Sequence, residues 1–215
     1  MNFNMNRDQY GIISQLNYDG VTLDSGDSAF STGLMAGCGS LKDAMLMPLF
    51  VQTGQLVRHP YSTDNTGTAP HNNPRATSRD QVLAFFFGAH AANNDQVYAA
   101  CLQYAQGWRV NADVLMPHHK LYLYKCAKVE VPKWLQVIGE ACLTLNILWN
   151  TKVKPEEEQN QLVVISIMMG RQWAAKVYVK HPNIFKNLND YFCGWRKRCE
   201  IATALKEKLI EVLTK

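Results

Sequence analysis

The chain has 215 residues, of which 47% are apolar and 19% are charged, and its formal net charge is +4. This balance is typical of a globular protein and excludes a disordered tail, a collagen-like fibre and a coiled-coil rod. The longest apolar runs, residues 82–92 and 162–169, fall well short of the roughly 18 residues that a membrane span needs. Residues 1–8 lack the apolar core of a secretion signal. We therefore expect neither a membrane span nor secretion.

Turn and capping signals divide the first half of the chain into helices. They predict four helices, over residues 29–36, 41–50, 82–92 and 95–106. Pro48 should kink or end the second of them. Ser78 and Gln81 match a capping box, and the helix that they open, 82–92, is apolar on nearly every side, which predicts a central position. The polar stretch before it, 53–77, predicts one long loop.

The second half contains further helical patterns, over residues 133–150, 155–179, 184–192 and the C-terminal segment with apolar residues at 201, 205, 209 and 212–213. In the first of these, Trp134, Ile138, Cys142 and Leu145 recur at helical spacing and are typical of a core face. Residues 10–16 and 120–125 look extended; the second alternates, as a short strand or an amphipathic turn would. We predict an all-α protein with a single domain over 1–215, in which seven or eight helices pack as antiparallel hairpins.

Charge is distributed unevenly along the chain. Residues 1–107 hold five basic and eight acidic side chains, whereas residues 108–215 hold 17 and 10, so the sign changes near 107–131. The only dense basic run is Arg196, Lys197 and Arg198, a candidate contact for nucleic acid or an acidic protein surface. The six cysteines are scattered without a Cys-x-x-Cys pair, which predicts reduced, mostly buried thiols and no structural zinc.

The segment from Gly54 to Gln81 concentrates the residues that could carry chemistry. Because both ends of the 53–77 stretch adjoin helices, we expect Arg58, His59, Arg79 and Asp80 to lie close together. Two carboxylates among Asp24, Asp27 and Asp80 have the residue types of a general acid and base that cleave glycosidic bonds. A metal held by His59, His71, Asp64 and Asp80 is an alternative, but their spacing matches no known pattern.

The structural alternative explains the same residues by ordinary helix chemistry, and it is our default. Ser78 and Gln81 would cap a helix, Asp80 would favour its positive end, and Arg58 or Arg79 would pair with Asp24 or Asp27. We accordingly predict no metal and no cofactor. His118 and His119 could bind a metal as a pair, but neighbouring residues on a helix do not face the same way. In a loop, such histidines are most often simply polar, and we expect His118 and His119 to be ordinary polar loop residues.

Several motifs bear on origin: Asp24-Ser-Gly-Asp27-Ser followed by Thr32-Gly33-Leu34, Gly54-x-x-x-Arg58-His59-Pro60, Ser78-Arg79-Asp80-Gln81 and Pro117-His118-His119. Together they resemble a group of proteins found in tailed bacteriophages and some bacteria. The resemblance covers roughly residues 18–125 and implies a phage or phage-like origin and a helical fold, but no particular activity.

Our expectation for function follows from this resemblance and from the missing cofactor motifs. The chain would be a phage structural or interaction protein of the tail or attachment apparatus, located in the virion or the host cytoplasm, that acts through protein–protein contacts. The expected contact residues are Arg58, His59, Arg79, Asp80, Arg196, Lys197 and Arg198. The alternatives are a glycan or cell-wall hydrolase that uses Asp80, Asp24 and Asp27, and a host-takeover factor that binds a host protein or nucleic acid.

Overall fold

The computed structural model describes residues 6–16, 23–66, 69–150, 169–180 and 199–214. Within these residues the protein is rich in helix, as the sequence predicts. The α-helices described are α1 (Ser28–Gly37), α2 (Leu41–Leu46), α3 (Arg79–Phe86), α4 (Ala89–Ala92), α5 (Asp95–Gln106), α6 (Pro117–Cys126), α7 (Lys133–Asn150), α8 (Gln172–Lys180) and α9 (Cys199–Thr214).

The remaining regular structure is short. In the described part of the chain, 3₁₀ turns cover Met47–Phe50 and Pro74–Ala76. Among the described residues, four antiparallel strand pairs join β1 (Gln15–Leu16) with β2 (Leu23–Asp24), β3 (Val51–Gln52) with β4 (Gln55–Leu56), β5 (Asn65–Thr66) with β6 (Ala69–Pro70), and β7 (Arg109–Val110) with β8 (Asp113–Val114). The prediction of one long loop over 53–77 is therefore wrong, because this stretch includes β4, the β5–β6 hairpin and a 3₁₀ turn.

Local capping signals place several helix ends where the sequence predicts them. The Ser40 hydroxyl accepts the backbone N–H of Asp43 at the start of α2, and the Asn94 side chain accepts two backbone N–H groups at the start of α5. Pro48 ends α2, since the chain continues from Met47 as a 3₁₀ turn.

The predicted helix over 82–92 is two helices, separated at Gly88. A Cβ built at this glycine would lie 2.6 Å from both Ala36 Cβ and Met47 Sδ. The chain thus passes too close to α1 for any side chain at this position. The central position is confirmed for α3, in which every residue from Gln81 to Phe86 is buried. It is wrong for most of α4, because His90 and Ala91 are exposed.

The prediction of extended structure at 120–125 is also wrong, since these residues belong to α6. Leu121, Tyr122 and Leu123 are all buried, so the helix is covered on more than one side and alternation does not mark a strand here. Lys120 is buried too, and its ammonium group donates to the carbonyls of Gln106 (3.1 Å) and Gly107 (2.6 Å).

Buried apolar residues form one contiguous core that extends from Ile12 to Leu209. The apolar positions predicted for the C-terminal helix, Ile201, Leu205 and Leu209, are fully buried in this core.

The predicted helix over 155–179 lies inside the described residues only in part, through α8. The predicted helix over 184–192 and the basic run Arg196–Arg198 lie outside the described residues.

Candidate functional site

The N-terminal ends of α1 and α3 meet at Gln81, a residue with only 2% of its surface exposed. Its side-chain oxygen accepts the backbone N–H of Phe30 (3.1 Å), and its side-chain nitrogen donates to Asp27 Oδ1 (2.6 Å). The predicted capping box is therefore wrong: Gln81 ties α3 to α1, and the Ser78 side chain makes no capping bond. The backbone N–H of Arg79 is satisfied by Asp113 Oδ2 (2.9 Å).

Arg58 is positioned beside this junction by the chain that follows β4. Its guanidinium donates to the backbone carbonyls of Gly26 (3.1 Å) and Ala76, and its own carbonyl accepts the N–H of Ala29 (2.9 Å). Arg58 thus links the turn before α1 with the turn before α3. Arg58 therefore lies near the start of both helices, where it donates to backbone carbonyls.

The turn before α1 brings a serine and a histidine together. Ser25 Oγ lies 2.8 Å from His71 Nδ1, and it also contacts Ser62 Oγ (2.7 Å) and Asp64 Oδ2 (3.3 Å). Burial, and then the nearby Arg58 guanidinium, lower the pKa of His71, so its imidazole is neutral at neutral pH.

A neutral histidine beside a serine hydroxyl can act as a base toward it, but an acyl-transfer site also needs N–H donors for an oxyanion. The nearest helix N-terminus offers none among its first amides. The N–H groups of Ser28, Ala29 and Phe30 are bound to the Ser25 carbonyl, the Arg58 carbonyl and Gln81. We therefore interpret the Ser25–His71 contact as a link between loops.

His59 is held by a separate set of bonds. Its Nε2 lies 2.6 Å from Asp8 Oδ2, and its Nδ1 accepts the backbone N–H groups of Tyr61 (3.1 Å) and Ser62 (2.9 Å). Because Nδ1 accepts, Nε2 carries the proton and donates it to Asp8. Both ring nitrogens are occupied, so His59 serves as a fixed part of the wall of a cavity of about 430 Å³.

Arg79 and Asp80 lie at the start of α3, where their side chains approach to 3.5 Å. The Asp80 side chain is 41% exposed and belongs to the first turn of the helix. A carboxylate in this position is stabilised by the helix dipole, as the structural alternative predicts. His59 is engaged elsewhere: its ring binds Asp8 and the backbone of Tyr61 and Ser62, and its backbone N–H donates to the His71 carbonyl (3.2 Å).

The three carboxylates of the catalytic alternative already hold partners. Asp24 Oδ1 accepts the backbone N–H of Gly26 (2.7 Å), Asp27 accepts the amide of Gln81, and Asp80 approaches Arg79. In the part of the chain that the structure describes, no three His, Cys, Asp or Glu side chains come close enough together to bind a metal ion.

A second polar cluster lies where sequence reasoning expected an ordinary loop. His118 and His119 occupy the first turn of α6, both are buried, and their ring centroids are 4.0 Å apart. His118 Nδ1 lies 3.1 Å from Cys142 Sγ, and His119 Nδ1 accepts the backbone N–H of Met116 (3.1 Å). Burial and the Arg79 charge lower the pKa of His118 to about 4, and burial lowers that of His119 well below its usual value.

Helix α7 is apolar on two opposite faces. One face is buried through Leu135, Leu143 and Ile147, and a Cβ built at Gly139 on this side would lie 2.9 Å from Leu121 of α6. The other face is exposed, through Trp134 (52%), Val137 (71%), Ile138 (49%), Leu145 (67%), Leu148 (49%) and Trp149 (70%). The core stripe predicted from Trp134, Ile138, Cys142 and Leu145 is therefore wrong for three of its members, which lie on the exposed face, whereas Cys142 is half-buried.

The exposed face of α7 continues onto the chain before α6. The rings of Trp108 and Trp134 stack with centroids 6.5 Å apart, and Trp108 is 53% exposed. We refer to Trp108, Trp134, Val137, Ile138, Leu145, Leu148 and Trp149 as the α7 face. At 100° per residue its six helical members fall within an arc of about 120°.

No protein-family model matches the chain, and no curated protein and no solved structure is significantly similar to it. Among the described helices, none combines the length and the apolar character that crossing a membrane requires.

Proposed function

We propose that this chain is a structural or interaction protein of a phage particle and that it acts by binding a neighbouring subunit through the α7 face. The observation that carries the proposal is the exposure of seven large apolar side chains on one surface. The polar residues of the predicted site, by contrast, are engaged with one another and with the backbone, which supports a structural role for them.

The size of the α7 face is that of a protein interface. Its three tryptophans are 52–70% exposed and leave on the order of 400 Å² of apolar surface in water. Four aliphatic side chains add to this, so the face approaches the roughly 800 Å² that each partner contributes to a standard interface. Exposed apolar patches beyond a few hundred Å² mark interaction sites.

A second copy of this chain is the occupant that the chemistry favours. A two-fold interface places the same surface of each copy against itself, so any charge on it would oppose its own image. None of the seven residues of the α7 face is charged. Its helical part extends from Trp134 to Trp149, about 22 Å, which is long enough for two helices to pack along their length.

The oligomeric state tests this pairing. We expect the purified protein to have the mass of a dimer by light scattering after gel filtration, and Leu145→Asp to have the mass of a monomer. Leu41→Asp is the matched control, because Leu41 is also an exposed leucine on a helix (77% on α2, compared with 67% for Leu145) but lies outside the α7 face. The Leu41→Asp variant should remain a dimer.

Two outcomes would contradict the pairing: a wild-type protein that is monomeric at every concentration, and a Leu145→Asp variant that has the mass of the wild type, whether or not its melting temperature falls. An unchanged mass together with a lower melting temperature would mean that the α7 face is covered by another part of the same chain.

The assignment to a phage particle rests on the Arg-His-Pro and Ser-Arg-Asp-Gln motifs, which resemble those of proteins found in tailed bacteriophages and some bacteria.

The hydrolase alternative has less support, because Asp24 and Asp27 accept hydrogen bonds that hold the turn before α1 and the α1–α3 junction. The arrangement that we propose for the whole chain is a single domain of antiparallel helical hairpins. It is supported by the one core shared by residues from Ile12 to Leu209.

A further inference from the structure

A polar cavity of about 430 Å³ lies between residues 8–14, Ser25 and residues 59–64. Its volume is in the range of sites that hold small molecules, roughly 300–1,000 Å³. It includes no residue of the α7 face, so what it binds is independent of the function proposed above.

The cavity is preformed, because its two walls are bonded to each other. Asp8 Oδ1 accepts the backbone N–H groups of Tyr10 (2.9 Å) and Ile12 (3.0 Å) in one wall. Its other oxygen binds His59, whose far nitrogen fixes the backbone of Tyr61 and Ser62 in the opposite wall. A ligand therefore meets a site that is already ordered, which lowers the entropic cost of binding.

The lining combines hydroxyl groups with negative charge. It includes the hydroxyl-bearing residues Ser14, Ser62 and Thr63 and the exposed, acidic Asp64. None of the described residues that line the cavity is a lysine or an arginine. Phosphate and acidic sugars are therefore disfavoured, whereas a neutral ligand with many hydroxyl groups can both donate to the carboxylate and exchange hydrogen bonds with the side-chain hydroxyls.

Two aromatic rings also line the cavity. Tyr10 and Tyr61 are 48% and 45% exposed, and their ring centroids are 4.4 Å apart with an angle of 41° between the planes. Such rings offer apolar faces with little conformational freedom to lose. The C–H face of a pyranose ring matches these faces, while its hydroxyl edge matches the polar part of the lining.

From this combination we infer that the cavity binds a neutral saccharide, with its ring against Tyr10 and Tyr61 and its hydroxyl groups directed toward Asp64 and the side-chain hydroxyls. For a monosaccharide the expected dissociation constant is on the order of 1 mM.

Titration of ¹⁵N-labelled full-length protein tests this inference. The probes are glucose, galactose, mannose, N-acetylglucosamine and their β-1,4-linked disaccharides, with glucuronic acid as the acidic comparison. We expect at least one neutral probe to shift the amide signals of Tyr61 and Ser62 to saturation. Glucuronic acid should bind at least tenfold more weakly than the best neutral probe.

Two substitutions separate binding in the cavity from other effects. Tyr61→Ala should weaken binding at least tenfold, whereas Tyr61→Phe, which keeps the ring, should change it less than threefold. Trp173→Ala, a substitution of an exposed aromatic residue on α8 (37%), is the control and should leave binding unchanged. Failure of every neutral probe to saturate, stronger binding of glucuronic acid, or binding unchanged by Tyr61→Ala would overturn the inference.

Discussion

Gln81 makes the contact between α1 and α3 directly testable by a substitution to alanine. The change removes the side-chain oxygen that accepts the buried Phe30 N–H, and the loss of this acceptor costs about 1–3 kcal/mol. It also removes a charge-assisted bond to Asp27, which contributes about 1.5–3 kcal/mol. Allowing for partial relaxation around the 2% exposed side chain, we expect a loss of about 3 kcal/mol in the free energy of unfolding.

Chemical and thermal unfolding, followed by circular dichroism, measure this loss. For a chain of 215 residues, about 3 kcal/mol corresponds to a fall in melting temperature of roughly 6–12 °C. Gln136→Ala, in which an exposed glutamine on α7 is truncated, is the matched control and should change stability by less than about 0.5 kcal/mol. A loss of less than about 1 kcal/mol for Gln81→Ala would refute the proposed link between the two helices.

Gln81→Glu sharpens the same test through its pH dependence. Glutamate keeps an acceptor for Phe30, but it replaces the amide donor with a second carboxylate beside Asp27. Like charges at hydrogen-bond distance raise the pKa of one of the two carboxyl groups. The stability difference between Gln81→Glu and the wild type should therefore be large at neutral pH and should narrow below about pH 5. A difference that does not depend on pH would contradict the Asp27 contact.

Three further predictions follow from packing and charge. Gly33→Ala should destabilise the protein by at least about 2 kcal/mol in urea unfolding, because its Cβ would lie less than 3 Å from the Phe85 backbone; an unchanged midpoint would contradict this close approach. Burial lowers the pKa of His118 to about 4 in the folded chain, compared with 6.5 for an unperturbed histidine. As the pH falls, the unfolded chain therefore binds a proton at His118 before the folded chain does, and about 3 kcal/mol of stability should be lost between pH 6.5 and pH 4. His119 adds to this loss, and His118→Asn should flatten this part of the plot of stability against pH. Asp80→Asn should cost only about 0.5 kcal/mol by thermal unfolding, whereas a hydrolase dependent on this carboxylate would lose its turnover on cell-wall glycans.

Helix boundaries with local signals could be read from the sequence, and the role of Gln81 could not. Ser40 and Asn94 cap helices through residues within three positions of themselves, so their signal is local. Gln81 binds residues 51 and 54 positions away, and only the folded chain brings these together. The same holds for the N-terminus of α3, whose first N–H is satisfied by Asp113 rather than by the neighbouring Ser78.

Helix α7 shows a different limit of sequence reasoning. Periodicity identifies apolar stripes, but a helix with two such stripes does not indicate which one is buried. Trp134, Ile138 and Leu145 form the more conspicuous pattern, yet Leu135, Leu143 and Ile147 are the residues that enter the core. Gly139 explains the choice, because it allows the second face to approach Leu121 of α6 closely. This exposed stripe is the surface that the sequence alone would have placed inside the protein.

Mass spectrometry of purified phage particles, assembled with either the wild-type chain or one of two variants, tests the central claim most directly. We expect the wild-type chain and Leu41→Asp to be present in many copies per particle, and Leu145→Asp to be missing or strongly depleted although it is equally well expressed and folded. Equal incorporation of Leu145→Asp, or absence of the wild-type chain from the particles, would contradict a particle protein that assembles through the α7 face.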